Sequence, residues 1–271
     1  MSLSLSPLTL ITLALFGYAF LYLPIVTLVV YSFNASERVM VWQGFSTRWY
    51  GALLADQQIL GAAWLSLKIA VMNASVATVL GLLGGYVMVR FGRFRSRTLF
   101  SGMLAAPLVV PEVITGLSLL MLFIALEAQF GWPSGRGVTT ITIAHITFCT
   151  AYVAVVVQSR LSQLDPSLEE AAMDLGARPV RTFFLVTVPL LAPALVAGWL
   201  LAFTLSIDDL VIASFVSGPG ASTLPMVIFS KVRLGLSPEI NALATLLILA
   251  VLVGVTIAML ISARRGRSDF G

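Results

Sequence analysis

The chain has 271 residues, 59% of them hydrophobic and 10% charged, with a mean hydropathy of +1.00 and a formal net charge of +4. Soluble domains carry roughly a quarter charged residues, so this composition excludes one and requires an integral membrane protein built from apolar helices. The positive balance lies in arginines at the edges of apolar runs, with no basic stretch carrying interleaved aromatics, so the lipid bilayer is the expected surrounding and nucleic acid is excluded as a partner.

Six spans are predicted in one transmembrane domain over residues 1–271. The first, 8–30, is uncharged and long enough at ~1.5 Å per residue to cross a ~30 Å hydrocarbon core. No Lys or Arg precedes it, so it reads as an uncleaved span rather than a signal peptide. Residues 34–60 are polar, with Trp42, Trp49 and Tyr50 suited to the headgroup layer, and read as a loop with a short interfacial helix. The second span, 61–89, places Ala77, Gly81 and Gly85 four residues apart, a small-residue face that predicts close packing on another helix. Lys68 near its start can snorkel to the interface.

Arg90, Arg93, Arg95 and Arg97 follow, marking a cytoplasmic edge. The third span, 99–126, is interrupted by Pro107 and Pro111 and should bend or break about halfway, with Glu112 near mid-membrane. The fourth is 138–157. His145 and Cys149 inside it have no partners for a catalytic or metal constellation and read as packing residues, and the single cysteine excludes an intrachain disulfide. The fifth, 188–216, carries Asp208 and Asp209 toward its far end. An amphipathic surface helix over 224–234 precedes the sixth span, 242–261, and Arg264, Arg265 and Arg267 close the chain.

Between the fourth and fifth spans lies a polar loop, 165–187. Pro166 can start a helix, Glu169 and Glu170 place negative charge at its positive end, and Gly176 can stop it. The short helix carries Leu168, Ala171, Ala172 and Leu175 on one stripe, with Asp174 beside them and Arg178 and Arg181 after. A segment this short must dock on something to be stable. With both termini on the side of this loop, ten basic residues fall there, against five (Arg38, Arg48, Arg136, Lys231 and Arg233) on the other side; the positive-inside rule thus places loop and termini in the cytoplasm.

The order Glu170, Ala171, Ala172, Gly176, Val186, Val188 and Pro189 resembles the EAA signature of permease subunits in bacterial ABC importers, departing from it at the two valines, where Ile and Leu are usual. The resemblance implies the six-helix type I permease fold and a coupling helix, with Glu169, Glu170, Ala171, Ala172, Asp174, Gly176 and Arg178 toward an ATPase. The segments PLVVPEVITGLSLL, AHITFCTAYVAVVVQSRL and LAFTLSIDDLVIASFVSGPGASTLPM are similar to the polyamine (putrescine and spermidine) branch of these importers, with putrescine the expected substrate. That implies a bacterial inner-membrane complex with a paralogous permease, two ATPase subunits and a periplasmic polyamine-binding protein. No GxxxxGK[ST] loop is present, so no cofactor is expected on this chain, and ATP with Mg²⁺ belongs to the partner ATPase.

Carboxylates inside a span cost at least ~2.5–3.5 kcal/mol and are kept for a cavity or a partner. Glu112, Asp208 and Asp209 have no lysine or arginine in the central part of any span, which suits a cationic substrate. Neighbours on a helix point ~100° apart, so one aspartate faces a path squarely; on a continuous helix Thr204, Val211 and Phe215 share the stripe of Asp208. Spermidine or another organic cation is the alternative substrate, and a cation channel subunit or an intramembrane enzyme the alternative classes. The enzyme lacks a nucleophile with a base, and the channel leaves the cytoplasmic docking helix unexplained.

Overall fold

The computed structural model describes residues 6–38, 41–235 and 237–268, with the side chains of 255 and 257–268 outside the described set, so those of Arg264, Arg265 and Arg267 lie outside it. The chain forms two compact units, residues 61–227 and residues 1–60 with 228–271.

In the first unit, α1 (Pro7–Tyr31) is an apolar helix with no buried residue. The loop after it is organised by buried Asn34. Its amide donates to the Val41 carbonyl at 2.7 Å, its side-chain oxygen accepts from the Gln43 and Ser36 N–H groups, and its own carbonyl accepts from Trp49 Nε1 at 2.7 Å. This ties the loop to α2 (Arg48–Ala55), where the sequence predicts a short interfacial helix. Asp56 caps the next helix by accepting from the Gln58 and Ile59 N–H groups, and also receives Lys231 Nζ at 2.6 Å; Glu239, in the first turn of α12 (Pro238–Ser268), lies 3.5 Å from the same ammonium. The hydrogen bond from Lys231 outweighs burial and holds Asp56 below the usual carboxylate range. Burial pulls Lys231 down, but the hydrogen bond and charge of Asp56, with Glu239, leave its ammonium above the usual lysine value.

The second unit is built around α6 (Val138–Leu161), the most buried of the long apolar helices. Its small and β-branched residues Ala144, Ala151, Val153, Ala154 and Val157 allow neighbours to approach closely. Along α3 (Gln57–Arg90) the predicted small face does so: a Cβ on Gly81 would stand 2.6 Å from Val153 Cβ, and one on Gly85 2.8 Å from Val157 Cγ1. From the other side, a Cβ on Gly198 of α9 (Val188–Ile207) would come 3.2 Å from Val153 Cγ1. Val153 is therefore a wedge between two glycines of different helices.

The third apolar run breaks into α4 (Arg97–Val109) and α5 (Glu112–Phe130). Val110 is extended (φ −76°, ψ 130°), the conformation a residue before proline is pushed into, and Pro111 stands at the start of α5. Pro107 remains inside α4.

The fifth run departs from the expected single helix over 188–216. It is preceded by α7 (Ser167–Asp174), α8 (Pro179–Thr182) and a π-helical turn, Phe183–Thr187, and its helix α9 stops at Ile207. Residues 208–210 are not helical, and a separate short helix, α10 (Val211–Val216), follows. The surface helix α11 occupies Leu224–Leu234, as read from the sequence. Five helical stretches are long and apolar enough to cross a membrane, and Pro238–Gly254 of α12 is a further, shorter apolar stretch among the described residues.

Gly81→Ala should lower the stability of the purified protein by about 1–3 kcal/mol through overpacking against Val153. Gly61→Ala on the same helix, where nothing lies within 4 Å, should leave it unchanged; thermal unfolding in detergent compares the two. In the first unit, Asp56 has a lowered pKa, so its contribution is present above the ordinary carboxylate range and lost as pH falls through the lowered value. Lys231→Met should remove most of that acid-side loss, which hydrogen exchange of α2 across pH 2–6 would read.

Candidate functional site

Among the described residues, ionisable side chains of the second unit pair with one another in two places. At the first, Asp209 is spent inside the protein. Its Oδ1 accepts from the Ile212 N–H at 3.3 Å and its Oδ2 from the Ala213 N–H at 2.7 Å, so it caps α10. The same Oδ2 lies 3.1 Å from His145 Nε2 on α6, and His145 Nδ1 lies 2.7 Å from Ser206 Oγ in the last turn of α9. A carboxylate oxygen accepts, so the Nε2 proton points at Asp209. The side chains of His145 and Asp209 are 2% and 7% exposed.

This arrangement explains the helix break. The Asp209 carboxylate offers the next amides an acceptor in place of the carbonyls four residues back, the competition by which aspartate interrupts helices. Asp208 ends α9, its N–H bonding the Thr204 carbonyl at 3.3 Å, and its side chain is exposed. Thr204 is exposed too, its hydroxyl donating to the Leu200 carbonyl at 2.9 Å. Because the helix is interrupted, Val211 and Phe215 do not continue the stripe of Thr204 and Asp208, and that expectation is corrected. Phe215 is half-buried against α5, where a Cβ on Gly116 would stand 2.8 Å from its ring. Glu112 is exposed one turn before Gly116, on the α5 face that meets α10.

The second place is the 165–187 loop. Asp165 Oδ1 accepts from the Ser167 N–H at 2.9 Å, a bond that also holds this exposed carboxyl below its usual range. At the far end of α7 the Ala177 N–H bonds the Ala172 carbonyl at 3.0 Å and the Gly176 N–H bonds the Met173 carbonyl at 2.9 Å, with Gly176 at φ +89°. That is a Schellman turn, which favours glycine at the left-handed position. Glu170, Ala171, Asp174 and Arg178 are exposed and Ala172 half-buried. Leu168, Met173 and Leu175 are exposed as well, Leu175 at 91%, so the helix turns much of its apolar surface outward.

Glu169 points the other way. Arg90 Nε donates to its Oε2 at 2.8 Å and Thr187 Oγ1 to its Oε1 at 2.6 Å, while Arg90 Nη2 reaches the Leu164 carbonyl at 3.4 Å. With 15% and 12% of the two side chains exposed, the Arg90–Glu169 pair fastens α7 to the end of α3 and to the π-helical turn. The sequence alone marks Arg90 only as a cytoplasmic edge and Glu169 as a docking residue. Nor does it pair His145 with Asp209, although an ionisable side chain within a span signals a partner to be sought.

Residues 77–266 match the family described as the binding-protein-dependent transport system inner membrane component. The chain belongs to that family. It is 60% identical over 254 residues to the putrescine transport system permease protein PotI of Escherichia coli K12, covering 94% of this chain and 90% of the relative. It is 43% identical over 254 residues to the spermidine/putrescine transport system permease protein PotC of the same strain, covering 94% of each. Its fold is similar to a chain of a bacterial ABC transporter involved in the import of the acidic polysaccharide alginate, with a TM-score of 0.71 at 18% identity over 93% of this chain and 94% of that one. A methionine ABC transporter in an inward-facing conformation matches with a TM-score of 0.57 at 16% identity, over 74% and 92%. The all-helical fold is thus that of type I ABC importer permeases, and the chain is a multi-pass inner-membrane translocation subunit rather than an enzyme.

If Arg90 and Glu169 hold α7 in place, Arg90→Ala should raise amide exchange across 165–177 while α6 stays protected. A double-mutant cycle with Glu169→Ala should return a coupling of about 1.5–3 kcal/mol, as for hydrogen bonds to charged groups. A coupling near zero would mean the loop is held by its apolar contacts alone.

Proposed function

We propose that this chain is a permease subunit of an ATP-driven importer of polyamines, with putrescine as its substrate. The observation that carries the reading is its 60% identity, across almost its whole length, to a putrescine permease. The chemistry of the unit agrees. Asp208 and Glu112 are exposed carboxylates, and among the described residues neither takes part in an ion pair. A flexible dication with two separated ammonium groups suits acidic groups supplied from different helices, and the exposed hydroxyl of Thr204 lies one turn from Asp208.

The path is shared with a paralogous permease, and a periplasmic binding protein delivers the substrate. The loop and both termini are cytoplasmic. There α7 docks on one of two ATPase subunits, which bind ATP and Mg²⁺; this chain carries no cofactor. The exposed Leu168, Met173 and Leu175 supply the apolar contact, Glu170, Ala171, Asp174 and Arg178 its border, and Gly176 the turn that fixes the exit direction. Glu169 contributes from inside, by anchoring α7 to the membrane helices.

In proteoliposomes holding the complete importer, putrescine should accumulate only with ATP and the binding protein, and this chain alone should accumulate none. Spermidine taken up in preference to putrescine would shift the substrate toward that of the 43% identical relative. An ammonium–carboxylate hydrogen bond contributes ~1.5–3 kcal/mol, so Asp208→Asn should lower uptake roughly ten-fold or more while assembly survives. Gly176→Asp should uncouple or dissociate the ATPase with the spans still inserted; normal substrate-stimulated hydrolysis in that variant would refute the docking role of α7.

A further inference from the structure

His145 is a buried ionisable group to which the transport reading gives no task. It lies on α6, the most buried long helix, and grips both sides of the break in the fifth run: Ser206 of α9 at 2.7 Å and Asp209 before α10 at 3.1 Å. Both ring nitrogens are used. Asp209 in turn collects three donors, His145 Nε2 and the Ile212 and Ala213 N–H groups. A carboxylate so satisfied, with its side chain 7% exposed, is not offered to a substrate. Its neighbour Asp208 is exposed, and among the described residues no other side chain forms a hydrogen bond or ion pair with its carboxylate.

We infer that His145 is a positioning residue for cation translocation: acting through Ser206 and Asp209, it holds the non-helical 208–210 turn in the form that presents Asp208 to the transported cation. The inference rests on the reading of Asp208 as a contact for a transported polyamine. Without the imidazole, Asp209 keeps only the two α10 amides and α9 loses the Ser206 tie to α6, keeping the weaker one from Cys149 Sγ to the Ala202 carbonyl at 3.6 Å. A buried carboxylate with an empty side then reorients toward another donor, and the cation itself is one. The backbone of 209–210 also becomes free to continue α9, whose last turn already holds Asp208 through its N–H bond to the Thr204 carbonyl, and that would redirect the residues from 209 onward that stand beside it. Either change alters the carboxylate and backbone that stand beside Asp208 where it meets the cation. His145 need not touch the substrate for this to matter, since a small misplacement of a charge-bearing group weakens its interaction steeply.

The test is a mutant cycle in the complete importer, reconstituted with ATPase and loaded binding protein, reading initial putrescine uptake per assembled complex. His145→Ala and Asp208→Asn should each lower uptake about ten-fold or more. The double variant should be no lower than Asp208→Asn alone, within about two-fold, because the first residue acts through the second. His145→Gln, whose amide can donate in place of Nε2, should recover uptake to within about three-fold of wild type. A double variant whose losses multiply to about a hundred-fold would overturn the inference and leave His145 a packing residue, as would wild-type uptake in His145→Ala. Should His145→Ala not assemble, Ser206→Ala removes one oxygen from the same chain of bonds and goes through the same cycle with the same two outcomes. Normal putrescine uptake in Asp208→Asn would overturn the role of Asp208 and this inference together, whereas uptake that fails already in the wild-type complex would overturn the putrescine reading itself.

Discussion

The second unit depends on Val153 of α6 being wedged between Gly81 of α3 and Gly198 of α9. Lipid tails are as apolar as the helices, so burial alone drives little association in a bilayer, and close van der Waals fit at small residues has to supply it. The wedge brings α3 and α9 to α6 at short range. At that distance the polar side chains of α6 can reach those of its neighbours. Asn73 of α3 donates to the Ala202 carbonyl of α9 at 3.0 Å, and His145 reaches Ser206 and Asp209. Close packing and polar pairing are thus one arrangement, since a wider helix spacing would leave these groups unpaired in hydrocarbon, where each costs several kcal/mol.

Much of this was legible in the sequence, and the legible part has a common cause. Where local chemistry decides the backbone, sequence reading succeeds: Pro111 breaks the third run, Gly176 ends α7 in a left-handed turn, and Leu224–Leu234 is a helix with the expected bounds. The Ala77, Gly81 and Gly85 stripe announced a contact, though not its partner. What the sequence hid are pairs joined only by the fold. Arg90 and Glu169 are 79 residues apart and His145 and Asp209 are 64 apart. The fifth run looked continuous because its residues are helix-compatible one by one. The competing acceptor that interrupts it is fixed from another helix, and no local propensity reports that.

Asn34 shows the same logic in the first unit. The interval after α1 reads as a polar loop with aromatics for the headgroup layer, yet it is organised about one fully buried side chain. Asn34 serves two backbone N–H groups, one carbonyl and, through its own carbonyl, Trp49. Phe33 stacks on Phe45 at a centroid distance of 5.4 Å and lies tilted against Tyr50 at 5.3 Å. Aromatics that composition assigns to the lipid interface are therefore also spent on holding a loop together, and composition cannot separate the two uses.

Two pairs of adjacent carboxylates, Glu169 with Glu170 and Asp208 with Asp209, divide their work the same way. In each, one member turns inward to a cation or imidazole and further donors, and the other is exposed. Consecutive side chains diverge by ~100° on a helix and by more in an extended turn, so a pair at the rim of a packed unit cannot send both members the same way. The inward member needs several donors because a desolvated carboxylate is costly when unpaired. Those donors come from other elements, α3 and the π-helical turn for Glu169, α6 and α10 for Asp209. The inward residue thereby fixes the backbone on which its neighbour stands, and the exposed carboxylate gains a direction that no bond of its own supplies. Acidic doublets at the edge of a membrane bundle are then best read as one anchor and one presented charge, with the anchor identified by whichever neighbouring helix carries a basic or imidazole partner at its level.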